Sequence, residues 1–346
     1  LCYKKLSMSK KNSSVNLNNF FENSKDLSII FQKFKIKLDD LNKKNYVVAV
    51  SGGPDSLALT ALTKAYVHQN KTKFHYILVD HNLRKNSSKE ASKVKSLLKK
   101  KKINLKIFKN KKKILKNIQA EARNVRYKSL INYCRKNRIK ILLTAHNLED
   151  QVETFLIRLS RGSGLKGLSS MRPLTKIDSK VSLYRPLLEV KKDKLIKISK
   201  NIFGKFAKDP SNKNTKFLRT KIRNLKKPLE RSGIKYDQIF RSIQNLSISK
   251  NTLDQHLNKT FKDLINKKNK KIFIDFKKFK GLNIEEKIAL LNKSIKMLKK
   301  NYYDLRSKKI VNLIKNLNKK NFKKATLGGC IFFKKDQHLC LKAEKN

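Results

Sequence analysis

The sequence predicts an α/β chain: a parallel sheet with helices on both faces, followed by a smaller α+β domain. Three observations carry this reading. Short β-branched apolar runs alternate with longer segments of helical character. Those runs are apolar throughout, as strands buried on both faces are. Beyond Pro228 the texture changes to mostly helix, closing on alternating apolar runs.

Taken in order, residues 1–30 read as a mobile, basic, Lys- and Asn-rich N-terminal extension without the apolar run of a secretory signal. The first residue is Leu1, so either an alternative start is used or the native start is Met8. Residues 46–50 (YVVAV) form a buried strand, 57–67 a helix, 74–80 a second strand and 88–101 a basic helix. Residues 104–108 give a third strand, 116–137 a long helix, 139–145 a fourth strand and 148–160 a helix. The first domain is thus 31–228. The second, 229–346, is expected to be helical over 229–270, with a short strand at 271–276. Amphipathic helices follow at 284–300 and 307–317, then a hairpin within 325–341 around Gly328 and Gly329.

The formal net charge is +61, with 86 basic residues against 25 acidic ones. An AT-rich genome enriches Lys, Asn, Ile and Phe, but it does not by itself deplete Asp and Glu. A field this positive draws polyanions, which points to nucleic acid. Arginine is confined to the stretch from Arg84 to Arg241, apart from Arg306. Where composition favours Lys, Arg persists at positions that need a planar, bidentate guanidinium, so this stretch is expected to carry the chemistry. No run of about 18 apolar residues spans a membrane. Cys2, Cys134, Cys330 and Cys340 form no Cys-x-x-Cys pair, which argues against a metal or disulfide framework and for a reducing cytoplasm.

The first strand runs into Ser51-Gly52-Gly53-Pro54-Asp55-Ser56 and then a helix. Strand, glycine loop and helix N-terminus together cradle phosphate through backbone N–H groups and the helix dipole. Ser51 and Ser56 add hydroxyl donors. Asp55 is a carboxylate in a loop suited to anions, which calls for Mg²⁺ or a cationic partner; a plain capped turn is the bland alternative. The loop is not a Gly-x-x-x-x-Gly-Lys phosphate loop. After the fourth strand, His146, Asp150 and Glu153 are spaced to share one face at a helix start. Two carboxylates at i, i+3 suit an ammonium ligand or a metal, although capping from Asn147 explains Asp150 as well. Arg123 with Arg126, and Arg219 with Arg223, stand at helical spacing and can clamp phosphates or form a solvated basic face. His81 and Arg84 follow the second strand, near the expected nucleotide.

The 51–56 loop resembles the pyrophosphate-binding motif of the N-type ATP pyrophosphatases. Other motifs choose among them. They are 79–84 (VDHNLR), 122–127 (ARNVRY), 144–154 (TAHNLEDQVET), 161–168 (RGSGLKGL), 185–188 (RPLL), 209–212 (DPSN), and 217–219 with 222–223. In this order they resemble the tRNA(Ile)-lysidine synthetase family, densely over 46–228. The 326–330 segment resembles the C-terminal domain of some members. Arg219-Thr220 departs from a frequent Arg-Asn, and a second C-terminal subdomain is expected to be missing.

The resemblance implies a PP-loop, Rossmann-like fold, with ATP bound at Ser51–Ser56, His81 and Arg84 and Mg²⁺ held by Asp55. The catalytic set is then Asp55, Arg126, His146, Asp150, Glu153 and Arg219, with Asp150 and Glu153 receiving lysine. The implied reaction joins free L-lysine to carbon 2 of the wobble cytidine in the CAU anticodon of tRNA(Ile), through an adenylated tRNA. The implied partners are that tRNA and lysine; 229–346 binds the tRNA, and the assembly leaves room for a homodimer. The rivals are a tRNA thiolase of the same superfamily and an RNA-binding protein with a dead nucleotide site.

Overall fold

The computed structural model describes residues 17–69, 71–83, 86–110, 118–207, 217–299, 307–319 and 321–344. Arg84, Arg306, Cys2 and the 209–212 motif lie outside them. The chain divides into two compact units, 1–246 and 247–346. The division falls inside a helix, C-terminal to the 228/229 boundary expected at Pro228.

In the first unit α1 (Leu17–Glu22) and α2 (Lys25–Asp39) lead into β1 (Asn45–Val50), α3 (Pro54–Gln69), β2 (Lys73–Asp80), α4 (Ser87–Lys99) and β3 (Leu105–Lys109). Next come α5 (Ile118–Lys136), β4 (Ile141–Leu143), α6 (Leu148–Leu159), α7 (Leu165–Leu168), β5 (Leu174–Lys176) and β6 (Ser182–Tyr184). Then follow α8 (Lys192–Phe203), α9 (Leu218–Asn224), α10 (Lys226–Arg231) and α11 (Tyr236–Thr260), the helix that holds the unit boundary.

The sheet order is β3-β2-β1-β4-β6-β5. All pairings are parallel except β5 with β6. Alternation along β1 explains its continuous apolar sequence. Tyr46, Val48 and Val50 join the core formed with α1, α2, α3, α4 and α8. Val47 joins the core on the opposite face with Leu130 and Cys134 of α5. Both faces are covered, as expected. The chain leaves β1 for β2 and β3 on one side, then returns to β4 on the other. The crevice between the carboxyl ends of β1 and β4 is therefore the topological switch point, where open α/β sheets bind ligands.

The reading of 1–30 as a mobile extension does not describe 17–30. Those residues belong to α1 and α2, and Phe21, Leu27, Phe31, Phe34 and Leu38 are buried in the core. Their helical spacing is present in the sequence but diluted by Lys and Asn. Helix α8 and the β5–β6 edge pair complete the sheet layers.

The second unit contains β7 (Ile265–Lys268), β8 (Lys271–Asp275), α12 (Phe276–Gly281), α13 (Ile284–Leu298) and α14 (Ser307–Leu317). It closes with β9 (Lys324–Leu327), β10 (Cys330–Lys335) and β11 (His338–Ala343). Its antiparallel sheet, β7-β8-β11-β10-β9, has its own apolar core. Two expectations are corrected here. The 229–270 stretch is not helix to its end, because β7 pairs with β8. The 325–341 stretch is three strands rather than a hairpin, because the Gly328-Gly329 turn joins β9 to β10 and a second turn follows Lys335. Among the described residues no helix is long and apolar enough to cross a membrane.

Candidate active site

The loop after β1 is shaped by its own side chains. Gly52 has φ +81°, and a Cβ there would sit 2.5 Å from Val94 Cγ2 on α4, so backbone conformation and space both require glycine. The Ser51 N–H donates to Ser56 Oγ at 3.1 Å, and Ser56 Oγ donates to the Gly53 carbonyl at 3.0 Å. Ser56 is buried, so its hydroxyl holds the loop's curvature rather than standing exposed as an anion donor. Ser51 is exposed and its hydroxyl lies 3.1 Å from Ser56 Oγ. Pro54 opens α3, where its fixed φ suits the first helical turn and its missing N–H is not needed.

Asp55 follows in the first turn of α3, and its Oδ1 is buried with no hydrogen-bond partner. Burial pushes its carboxyl up to about 6. Lys192 at the start of α8 opposes that rise, Asp150 and Glu149 add to it, and the Asn147 side chain opposes it. These neighbours place Asp55 against the N-terminus of α6, across the β1–β4 crevice.

Helix α6 begins with a full capping box: Asn147 Oδ1 accepts from the Asp150 N–H at 2.9 Å, and Asp150 Oδ2 accepts from the Asn147 N–H at 3.1 Å. Asp150 therefore does cap the helix, and its other oxygen remains for a second task. That oxygen, Oδ1, accepts from Arg219 Nη2 at 2.8 Å. Glu153, one turn on, is 2% exposed. It accepts from Arg219 Nε at 2.8 Å, Arg223 Nε at 2.7 Å and Arg223 Nη2 at 3.1 Å. A carboxylate this buried persists as an anion only when it is paired and hydrogen-bonded. The pair expected to face an ammonium group faces two guanidinium groups of α9 instead. The α9 arginines, expected to clamp phosphate, are engaged by carboxylates.

His146 precedes the cap, with Nδ1 2.9 Å from Thr144 Oγ1. Burial holds its imidazole well below the usual histidine range, and the guanidiniums of Arg185, Arg123, Arg219 and Arg126 add to the effect. These guanidiniums make the field at the buried ring positive. His81, after β2, is likewise lowered by burial and then by Arg126, and its Nδ1 is buried without a partner. Arg126 is itself lowered from the arginine value by burial, then by Arg123, while Tyr127 opposes; a guanidinium stays charged regardless. Arg126 thus adds to the positive field at both His81 and His146.

Three contributors were given no role from sequence, although Arg185 and Glu149 lie in the 185–188 and 144–154 motifs. Arg185 is 8% exposed, and its Nη1 donates to the Arg172 carbonyl at 2.8 Å and Thr175 Oγ1 at 2.9 Å. Its signal was an arginine retained in a Lys-rich chain. Lys192 gave no signal, being one lysine among many. Glu149 is buried and ties helix starts together, accepting from the Lys192 N–H at 2.9 Å and Lys226 Nζ at 3.3 Å.

A phosphate-cradling loop at the switch point of a parallel sheet defines a nucleotide-binding α/β protein, and the PP-loop domain family, an ATP-binding one, matches residues 26–229. A tRNA(Ile)-lysidine synthase of Wolbachia pipientis is 32% identical over 327 residues, 93% of this chain and 75% of that protein. One from Rickettsia typhi is 31% identical over 330 residues, 91% of this chain and 74% of its own length. Among solved structures, a U34-tRNA thiolase from Methanococcus maripaludis aligns with a TM-score of 0.54 at 19% identity, covering 64% of this chain and 78% of that one; it shares the fold. The chain belongs to the tRNA(Ile)-lysidine synthase family, whose PP-loop domain it carries.

Proposed function

We propose that this enzyme joins free lysine to carbon 2 of the wobble cytidine in the CAU anticodon of an isoleucine tRNA, consuming ATP. The observation that carries the reading is the convergence, at one end of the sheet, of a glycine loop at a helix start, a group of arginines around His146 and a carboxylate pair. Each serves one requirement of the reaction. That the relatives are tRNA(Ile)-lysidine synthases supports the same substrate.

The oxygen on carbon 2 of cytosine is a poor leaving group. Its attack on the α-phosphate of ATP converts it to an adenylate and releases pyrophosphate. The 51–56 loop and the dipole of α3 hold the pyrophosphate. Arg126, Arg123 and Arg185 stabilise charge on the phosphoryl oxygens as it develops. His81 and His146, neutral among these guanidiniums, offer hydrogen bonds without adding charge. The lysine ε-amine then attacks carbon 2 and AMP leaves. The ammonium form is received by Asp150 and Glu153, and the amine must shed a proton before it attacks.

Asp55 fits a Mg²⁺ ion that accompanies the nucleotide. Its Oδ1 is buried and unpartnered, and burial raises its carboxyl to about 6, so a cation there would relieve the cost of its charge. A single carboxylate completed by phosphate oxygens and water is a usual Mg²⁺ environment. The ion would supply charge neutralisation on the departing pyrophosphate. The lysine-rich second unit grips the tRNA body through phosphates.

Thiolation is the competing chemistry, since a tRNA thiolase shares this fold. The sulfur reading finds no support in the thiols described: Cys134, Cys330 and Cys340 are free and buried. Burial pushes the Cys134 thiol up to about 12, the opposite of a reactive thiolate.

The test is mass spectrometry of an isoleucine tRNA incubated with the enzyme, ATP and lysine. The expected product carries the mass of lysine less water on the anticodon cytidine, with AMP and pyrophosphate formed only when tRNA is present. A sulfur mass, or an unmodified tRNA, defeats the reading.

A further inference from the structure

The salt-bridge cluster between α6 and α9 poses a question of occupancy. Glu153 has three of its acceptor positions filled by guanidinium donors, and Asp150 Oδ1 is taken by Arg219. A primary ammonium group needs those same lone pairs. The two arginines differ in what they leave behind. Arg223 makes two bonds to Glu153 alone among these contacts, at 2.7 and 3.1 Å. Arg219 is shared between Glu153 and Asp150 at 2.8 Å each, and its side chain is 41% exposed. Withdrawing Arg219 therefore frees Asp150 Oδ1 and one acceptor position on Glu153 Oε2 without stranding the buried Glu153, whose two oxygens keep Arg223. Arg219 also contributes to the positive field at His146, alongside Arg123, Arg126 and Arg185.

We infer that Arg219 is a positioning residue that couples the two halves of the site: without an anion beside the neighbouring arginines its guanidinium occupies the seat of the amine substrate, and an anion bound there draws it away. Among similarly placed groups, a guanidinium forks onto phosphate at least as well as onto carboxylate. Arg219 thereby discourages lysine from binding ahead of the nucleotide. Because coupling is reciprocal, lysine in turn frees Arg219 to hold the anion. The inference rests on the functional reading only in naming lysine as the amine.

The experiment is equilibrium dialysis of labelled lysine against the full chain, with and without saturating inorganic pyrophosphate. Lysine affinity is expected to rise by about fivefold or more with pyrophosphate. In Arg219→Gln, lysine without pyrophosphate should bind as tightly as it does to the saturated wild type, and the coupling should collapse toward one. Arg219→Lys keeps the charge but not the fork, so it should give intermediate coupling, and it serves if the glutamine variant does not fold. A merely structural salt bridge would weaken lysine binding in both variants. Direct attraction between pyrophosphate and lysine would leave the coupling intact in both. Either result, an unchanged wild-type affinity, or no lysine binding under either condition overturns the inference. A wild-type tRNA product without lysine mass is instead a failure of the functional reading, and n-butylammonium then replaces lysine as the probe of the coupling.

Discussion

Asp55 shows how one side chain sets a pH dependence. Its carboxyl is raised to about 6 by burial, so in the ligand-free protein the protonated form is favoured relative to the unfolded chain. For a raised carboxyl, the contribution to stability is complete at low pH and is lost as pH rises through about 6. A shift of this size is worth at most about 3 kcal/mol. Asp55→Asn, which mimics the protonated group, should therefore raise the melting temperature of the ligand-free protein at pH 8 and leave it unchanged near pH 4. Pyrophosphate release should vanish in the same variant while tRNA affinity stays near wild type. A melting temperature that is lowered equally at both pH values would show that Asp55 is held by partners in the ligand-free state. Glu153 gives the complementary case. Glu153→Gln keeps the shape but leaves Arg219 and Arg223 with a neutral acceptor. Charge-assisted hydrogen bonds contribute about 1.5–3 kcal/mol each, so the apparent lysine affinity should fall by roughly tenfold or more. Thermal stability should fall as well, and a lysine titration with a melting curve reads both.

At the scale of elements, the site is a meeting of helix starts at the ends of strands. Alternating apolar runs made β1 to β4 legible, and the Asn147–Asp150 spacing made the start of α6 legible. The meaning of Asp150 and Glu153 was only half legible. Their position on one face follows from helical period, but their occupancy depends on α9, some 65 residues further along the chain. The role of Arg185, though its motif was visible, and Lys192 altogether were hidden for the same reason: what they do depends on which strand end and helix start they approach, not on neighbours in sequence. Helices α1 and α2 were hidden by composition, because Lys and Asn between the buried Phe and Leu positions lower the apolar signal. The Gly52 turn yields a sharper test. Gly52→Ala adds a Cβ 2.5 Å from Val94 Cγ2 at a positive φ. Relief of the contact alone, by combining it with Val94→Ala, should restore only part of the lost ATP affinity, because the backbone strain remains. Full rescue would mean that space, not conformation, selects the glycine.

For the whole molecule, the net charge of +61 is divided between two chemistries. The described arginines lie within 123–241, in the first unit, while lysine dominates the second. Lysine point charges on phosphate give affinity with little sequence information, whereas guanidinium forks give geometry. A chain ending at Thr260, where α11 ends, should bind tRNA more weakly and with a flatter dependence on salt, since fewer counterions are released per complex. Residual modification should still prefer the CAU anticodon. Measuring tRNA affinity against log salt for both chains, with isoleucine and methionine tRNAs, checks this. An unchanged slope would assign the charge of the second unit to codon bias on a solvated surface.

The strand order also bears on how the ribosome delivers this fold. Among the described residues β1 is the first strand of this sheet to emerge, and it takes an inner place in it. β2 and then β3 extend it on one flank, and β4 and then β6 on the other, so each of these newcomers meets an edge already made. Among the described strands that follow β1 in this sheet, β5 alone finds no partner already made, and it waits for β6 a few residues later. Nascent chains fold from the N-terminus at about 5–20 residues per second of synthesis, so a sheet that grows outward from its oldest strand keeps few unpaired edges exposed to other polypeptides at any moment.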